Sequence, residues 1–214
     1  MNKIFAIGDI HGCLDKLLSL MGKLPIKPAD DTLLFIGDYI DRGSDGPAVV
    51  DYVLDLKEKF SSVICLCGNH ENMLLHYLEG LDEELYVQNG GLATLKAYGI
   101  STSDSLKKRK AKIPARHLRF FESLRFYYET DDYVFVHAGL RPGVPLVAQS
   151  TQDLLWLRQE FVESDHDFGK RVIFGHTPKK EPLITPYKIG IDTGAVYGGK
   201  LSCLELPELK FYSV

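Results

Sequence analysis

The sequence predicts an α/β fold in which two mixed β-sheets pack face to face as a sandwich with helices outside. Three observations predict it. A strand–loop–helix order repeats three times before residue 80, short apolar runs joined by glycine- and proline-containing turns return after residue 125, and 45% hydrophobic residues over 214 positions suffice for one sizeable core. No linker, internal repeat or low-complexity tract divides the chain, so residues 1–214 are expected as a single domain.

The first unit is a strand over Lys3 to Gly8, followed by Leu14, Leu17, Leu18 and Met21 at helical spacing until Pro25 ends the pattern. Thr32 to Ile36 and a helix through Val49, Val50, Val53, Leu54 and Leu56 form the second. Ser62 to Leu66 and a helix carrying Met73, Leu74, Tyr77 and Leu78 form the third. Successive β–α units imply parallel pairing, and each delivers a polar loop at its strand's C-terminal end, where open α/β sheets place their ligands.

From about 81 to 117 the pattern weakens around Gly90-Gly91 and the basic run Lys107 to Lys112, and a helical insertion or lid is expected there. The basic run reads as a solvated helix face rather than a docking patch for an acidic partner. Leu118 to Leu124 closes the segment as a helix, and Phe126 to Glu129 with Tyr133 to Val136 reads as a hairpin. After it come a short helix at Asp153 to Arg158 and strands at Arg171 to Phe174, Tyr187 to Ile191, Lys200 to Leu206 and Leu209 to Tyr212. These later strands are expected to form the second sheet.

The net charge of -4 gives no general attraction to nucleic acid or to an anionic membrane, so an anion must be held by a local site. Met1-Asn2-Lys3 leads straight into a strand-like run too short for a signal segment, and no apolar run is long enough to span a membrane, so a cytoplasmic location is expected. Four cysteines are too few for a disulfide framework, and Cys65 and Cys67 read as fillers of an apolar strand rather than a zinc pair. Cys13 lies beside the candidate site described next and is a candidate for oxidation.

Polar residues with ligand chemistry recur where apolar runs end. Asp9 and His11 are two apart in an extended segment and face the same side. Asp38 ends the second run, Asn69 and His70 the third, His137 the hairpin strand and His176 a later one. Any one instance is ordinary turn chemistry, but five recurrences at strand ends point to one shared site. Oxygen and imidazole donors without thiolate suit manganese, iron or zinc. Six such ligands exceed one tetrahedral ion, whereas two ions sharing a bridging carboxylate fit the number and would clamp both oxygens of an in-line phosphoryl displacement.

Gly8-Asp9-Ile10-His11-Gly12, Gly37-Asp38-Tyr39-Ile40-Asp41-Arg42-Gly43 and Gly68-Asn69-His70-Glu71 resemble the three signature motifs of the phosphoprotein phosphatases. These are the binuclear-metal serine/threonine phosphatases, within the calcineurin-like metallophosphoesterase superfamily, and the chain is most similar to their small bacterial and bacteriophage type. His137-Ala138-Gly139 and Gly175-His176-Thr177 match the later ligand motifs, so the resemblance runs from Lys3 to about Leu206. It implies a four-layer αββα fold and two divalent metal ions, manganese foremost, with iron or zinc as alternatives. Asp9 and His11 would bind the first ion, Asp38 would bridge, and Asn69, His137 and His176 would bind the second. Asp41 and His70 would protonate the leaving oxygen as a dyad, while Arg42, Arg158 and Asn69 would hold phosphate. One departure is Cys67, which stands where protein phosphatases of this type usually have an arginine.

The function implied is hydrolysis of phosphoserine or phosphothreonine, with phosphotyrosine as a further substrate, in proteins or peptides. The alternative is a symmetrical bis(5'-nucleosyl)-tetraphosphatase or another small-molecule phosphoesterase, because Asp192-Thr193-Gly194 and Gly198-Gly199-Lys200-Leu201 resemble the tail of those enzymes. Asp41 favours the phosphatase, since the symmetrical enzymes typically lack it and a nucleotide leaving group needs less protonation than an alkoxide. A third possibility, a non-catalytic metal-binding scaffold docking through Lys107 to Lys112, would leave the constellation without a purpose.

Overall fold

In the computed structural model, which describes residues 3–214, the three early units take the bounds β1 (Ile4–Ile7), α1 (Leu14–Met21), β2 (Thr32–Phe35), α2 (Gly46–Lys59), β3 (Ser62–Cys65) and α3 (Asn69–Leu78). The Met1-Asn2 part of the expected N-terminal start lies outside the described residues. β2 pairs in parallel with β1, Phe35 opposite Ile7, and with β3, Phe35 opposite Cys65. β1 and β2 are buried on both faces over most of their length, which is why they read as continuous apolar runs, whereas β3 at the sheet edge is largely half-buried. Phe5, Ile7, Leu33 and Phe35 pack beneath the helices with Leu17, Val49, Val53 and Met73, whereas Ala6, Leu34 and Ile36 face the other sheet.

The 81–117 segment is helical. It comprises α4 (Glu83–Tyr86), a π turn at Val87–Gly91, α5 (Leu92–Ala97), α6 (Leu106–Lys112) and the start of α7 (Ala115–Glu122). Leu95, Phe120 and Phe121 join the core beneath these helices. The basic run departs from a solvated face at Arg109, which is buried. Its guanidinium stacks 4.3 Å from the Tyr77 ring centroid and donates to the carbonyls of Asp104 (3.0 Å) and Thr102 (2.8 Å) and to Glu83 (2.9 Å). Asp104 pairs with Lys108 at 2.6 Å and Lys112 at 2.5 Å, and Lys110 pairs with Glu79. Much of the run's charge is therefore spent on intramolecular pairs. Tertiary partners 5 to 32 residues away decided this, and no local pattern announces them.

β4 (Tyr127–Glu129) and β5 (Tyr133–Val136) form the hairpin and open the second sheet. α8 (Thr151–Trp156) and α9 (Gln159–Val162) precede β6 (Arg171–Phe174), β7 (Leu183–Ile184), β8 (Lys188–Gly190), β9 (Ser202–Leu206) and β10 (Lys210–Ser213). The second sheet has the order β4-β5-β6-β8-β7, with β5, β6 and β8 parallel. Val136, Val172 and Phe174 pack on its outer side against Leu154 and Phe161, from α8 and α9. The result is the four-layer sandwich.

The last two strands correct the expected sheet membership. β9 lies antiparallel to β1, Cys203 opposite Ile7, and β10 pairs with β9, so the first sheet runs β10-β9-β1-β2-β3. Alternation explains the fit: Cys203 packs with the helix-side core, while Leu204 and Leu206 face the other sheet. That alternation would suit an edge of either sheet, and only long-range pairing chose between them.

Candidate active site

Six parallel strands end on the same rim. Asp9 and His11 follow β1, Asp38 follows β2, and Asn69 and His70 open α3 after β3. His137 follows β5, His176 follows β6, and Asp192 follows β8. All eight side chains are buried. The turns that aim them are strained. Of seven non-glycine residues with positive φ among the described residues, five are His11 (47°), Asp38 (53°), Asp41 (70°), Arg42 (67°) and His176 (63°). Such conformations cost on the order of 1–3 kcal/mol each and persist where surroundings over-determine them.

Glu71 supplies much of that determination. Its carboxylate accepts the backbone N–H groups of Asp38 (2.9 Å), Tyr39 (2.8 Å), Ile40 (3.3 Å) and Gly68 (3.0 Å), which ties the Asp38 turn to the N-terminus of α3. Burial, together with the nearby Asp38 and Asp41 carboxylates, pushes the Glu71 carboxyl up to about 8. Glycine is required at two close approaches. A Cβ on Gly68 would lie 2.0 Å from Asp38 Oδ1, and one on Gly175 would lie 2.1 Å from Asp9 Oδ1.

Two groups of candidate metal ligands share Asp38: His11, Asp38 and His70 in one, and Asp38, His137 and His176 in the other, with each group's ligand atoms within 4.8 Å of one another. Asp38 Oδ2 lies 3.3 Å from His11 Nε2 and 3.5 Å from His137 Nε2. Asn69 Oδ1 stands 3.0 Å from both His137 Nε2 and His176 Nδ1. Asp9 accepts the His176 backbone N–H through Oδ2 at 2.9 Å.

These residues fit a pair of cations. His11 Nδ1 faces the Ile40 carbonyl at 2.9 Å and His137 Nδ1 faces the Ile36 carbonyl at 3.2 Å, so each Nδ1 carries the proton and each Nε2 turns a lone pair into the site. Burial lowers His137 to about 4 and His176 well below the usual histidine range, keeping both rings neutral at physiological pH. The His137 lone pair and Asn69 Oδ1, both acceptors, then face each other at 3.0 Å. Asp9 Oδ1, His70 Nε2 and His176 Nε2 are buried without a hydrogen-bond partner, at a cost of about 1–3 kcal/mol each. Burial and the adjacent Asp192 and Asp38 carboxylates push Asp9 up, and burial also raises Asp192. Crowded carboxylates, converging lone pairs and an oxygen and nitrogen donor set match divalent ions.

Beside the cluster, His70 Nδ1 lies 2.7 Å from Asp41 Oδ2, with both side chains fully buried, and the His70 ring meets the His11 ring edge-on at 4.7 Å. Asp41 is fixed by two residues of the 81–117 segment. Tyr86 OH donates to its Oδ1 at 2.8 Å, and the Asp41 N–H donates to Thr94 Oγ1 at 2.9 Å. Arg42 donates to His11 Nε2, and its backbone N–H donates to the Gly90 carbonyl at 3.2 Å. Arg158 is exposed at the start of α9, and its charge helps to lower His176, behind burial and His137.

The structure thus gathers Asp9, His11, Asp38, Asn69, His70, His137 and His176, with Asp41, Arg42 and Arg158 adjoining. Glu71, Tyr86, Thr94 and Asp192 were not assigned site roles from sequence. Glu71 lies inside the Gly68-Asn69-His70-Glu71 motif and Asp192 follows an apolar run, so both carried a signal; Tyr86 and Thr94 carried none. Cys13, in contrast, is shielded: its thiol is half-buried and burial pushes it up, away from thiolate reactivity.

Comparison with known proteins adds three findings. The family profile described as calcineurin-like phosphoesterase matches residues 2–203. The chain is 30% identical to the asymmetrical bis(5'-nucleosyl)-tetraphosphatase PrpE of Anoxybacillus flavithermus, over 97% of this chain and 92% of that protein. It is also 30% identical to the enzyme of that name from Oceanobacillus iheyensis, over 99% and 92%. Among solved structures, a chain provisionally named a diadenosine tetraphosphatase superposes with a TM-score of 0.76 at 24% identity, covering 100% of this chain and 93% of that one. The cold-active protein-tyrosine phosphatase of a psychrophilic Shewanella superposes at 0.72 with 16% identity, over 100% and 80%. Both structural likenesses speak to the fold.

Proposed function

Because the chain belongs to the calcineurin-like phosphoesterase family, we propose that it is a metal-dependent hydrolase of bis(5'-nucleosyl) tetraphosphates that cuts them asymmetrically. The observation that carries the substrate is the full-length likeness to asymmetrical tetraphosphatases, 30% identical over 97% of this chain and 92% of the relative. It replaces the symmetrical enzyme suggested by the Asp192-Thr193-Gly194 tail with the asymmetrical one.

Asp9, His11 and Asp38 would hold one divalent ion and Asp38, Asn69, His137 and His176 the other, with manganese the expected occupant. Two such ions supply charge stabilisation at phosphoryl oxygens and lower the pKa of an attacking water. Arg42 and Arg158, with Asn69, bind and orient the phosphate. The His70 Nδ1–H donates to Asp41, which leaves Nε2 facing the cluster to move a proton to the departing oxygen. Tyr86 holds the Asp41 carboxylate in place for that task, and Thr94 holds the Asp41 backbone N–H.

A second reading, hydrolysis of phosphoserine or phosphothreonine in proteins, is favoured by the same buried dyad, since an alkoxide leaving group needs the proton more than a nucleotide does. Product analysis separates the two. With manganese, diadenosine tetraphosphate should yield a nucleoside triphosphate and a monophosphate. Two diphosphates would mean symmetrical cleavage, and a higher kcat/KM on a phosphoserine or phosphotyrosine peptide would favour the protein phosphatase.

A further inference from the structure

Next to Asp192 and His176 lies a cavity of about 570 Å³ to which the reaction above gives no role. It is bounded by Lys16 on α1, by Pro178, Lys179 and Lys180 beyond β6, and by the loop Thr193 to Lys200. Val214 completes its wall, among the described residues no aspartate or glutamate side chain lines it, and of its four lysines only Lys200 has a side-chain carboxylate partner, the exposed Glu181 at 3.1 Å. In a chain of net charge -4, four lysines around one cavity, three of them without a side-chain carboxylate partner, favour an anionic ligand.

The loop is built to a defined shape. Lys16 Nζ donates to the Ala195 carbonyl at 2.8 Å and the Gly199 carbonyl at 2.5 Å, bridging its two sides. Gly194 and Gly198 adopt φ of 71° and 84°, and a Cβ on Gly199 would lie 2.2 Å from the Thr193 carbonyl oxygen. What this loop presents is Tyr197, an aromatic ring left 63% exposed. Tyr197 Cδ2 and Pro178 Cβ both lie 3.9 Å from the position of a Cβ on Gly194, so the ring stands near Pro178, two residues beyond His176. The Arg42 guanidinium sits 5.5 Å from the ring centroid while also donating to His11. One arginine therefore spans from the metal cluster to the cavity.

We infer that this cavity is a nucleoside polyphosphate subsite, in which Tyr197 stacks on the base and the Lys179, Lys180 and Lys200 ammonium groups pair with phosphates beyond the scissile bond. An open aromatic face beside a row of cations suits a base joined to a phosphate chain, whereas solvating lysines need no aromatic platform. The inference rests on the dinucleoside polyphosphate reading and deepens it. A base anchored on Tyr197 fixes how far along the chain the reacting phosphorus lies from it, which provides a physical route to an unequal cut.

The test reads binding through inhibition of p-nitrophenyl phosphate hydrolysis, with manganese in constant excess and ATP, inorganic triphosphate and an acidic phosphopeptide as probes. Base stacking on an aromatic side chain corresponds to about tenfold or more in affinity. Tyr197→Ala should weaken ATP inhibition by about that factor and leave triphosphate inhibition unchanged, with Tyr197→Phe restoring the wild-type value. Lys179→Ala/Lys180→Ala should weaken both polyphosphates. Equal ATP inhibition in wild type and Tyr197→Ala, or a Tyr197→Ala loss confined to the phosphopeptide, would overturn the subsite. Wild-type enzyme that is inhibited by ATP through Tyr197 yet leaves diadenosine tetraphosphate intact would sink the substrate reading and keep the subsite. Unchanged kcat/KM for tetraphosphate cleavage in Tyr197→Ala would do the reverse.

Discussion

His70 turns one ring nitrogen to Asp41 at 2.7 Å and leaves the other buried without a hydrogen-bond partner beside the cluster. If that second nitrogen delivers the proton, His70→Asn should lower kcat by roughly 10²- to 10⁴-fold with little change in KM. Steady-state kinetics on p-nitrophenyl phosphate checks this, and an unaltered kcat would remove His70 from proton transfer. At this scale the candidate ligands stand out in the sequence because each follows an apolar run and precedes or follows a small residue. Glu71 was visible as a letter of a motif, but its work was not. Its carboxylate serves four backbone N–H groups, three of them 31 to 33 residues away, and backbone partners leave no trace in a sequence pattern.

The 81–117 segment, expected as an insertion or lid, delivers Tyr86 and Thr94 to Asp41 from 45 and 53 positions away. A lost hydrogen bond to a charged group is worth about 1.5–3 kcal/mol. Tyr86→Phe should therefore lower kcat by roughly tenfold or more while KM changes less, and should shift the pH–rate profile, which a purely structural role for the hydroxyl would not do. α6 gives a separate prediction about stability. Hydrogen bonds from Lys108 and Lys112 hold the Asp104 carboxyl well below its ordinary value of 3.8. A carboxyl depressed on folding contributes stability above that value and loses it as pH falls toward the lower, folded one. Asp104→Asn should accordingly melt below wild type at neutral pH, and the gap in Tm should close in acid below about 3.8. A gap that persists unchanged in acid would show that the ion pairs do not anchor this helix.

Across the whole molecule, ions bound at the two ligand groups that share Asp38 would couple metal binding to folding. A ligand at a hundred times its Kd stabilises the native state by about 2.7 kcal/mol, which for a domain of this size corresponds to a rise in Tm of roughly 5–10 °C. Adding manganese to chelator-treated protein should raise Tm by about that much, and Asp38→Asn should abolish most of the rise, because Asp38 belongs to both ligand groups. Differential scanning calorimetry measures both, and equal shifts in the two proteins would deny Asp38 its bridging position.

By itself the sequence determined the α/β class, the strand–helix units before residue 80 and the ligand types at the strand ends, because hydrophobic period, turn residues and donor chemistry are local properties of the chain. Tertiary structure alone decided that β9 and β10 return to β1, that Arg109 is buried on Tyr77, that Tyr86 and Thr94 steady Asp41, and that Tyr197 stands beside Arg42 at a lysine-lined cavity. Each of these depends on which distant segments meet. Burial and pairing between residues tens to two hundred positions apart are set by the packing of whole layers, and a periodic pattern records only that a face is apolar, not what will cover it.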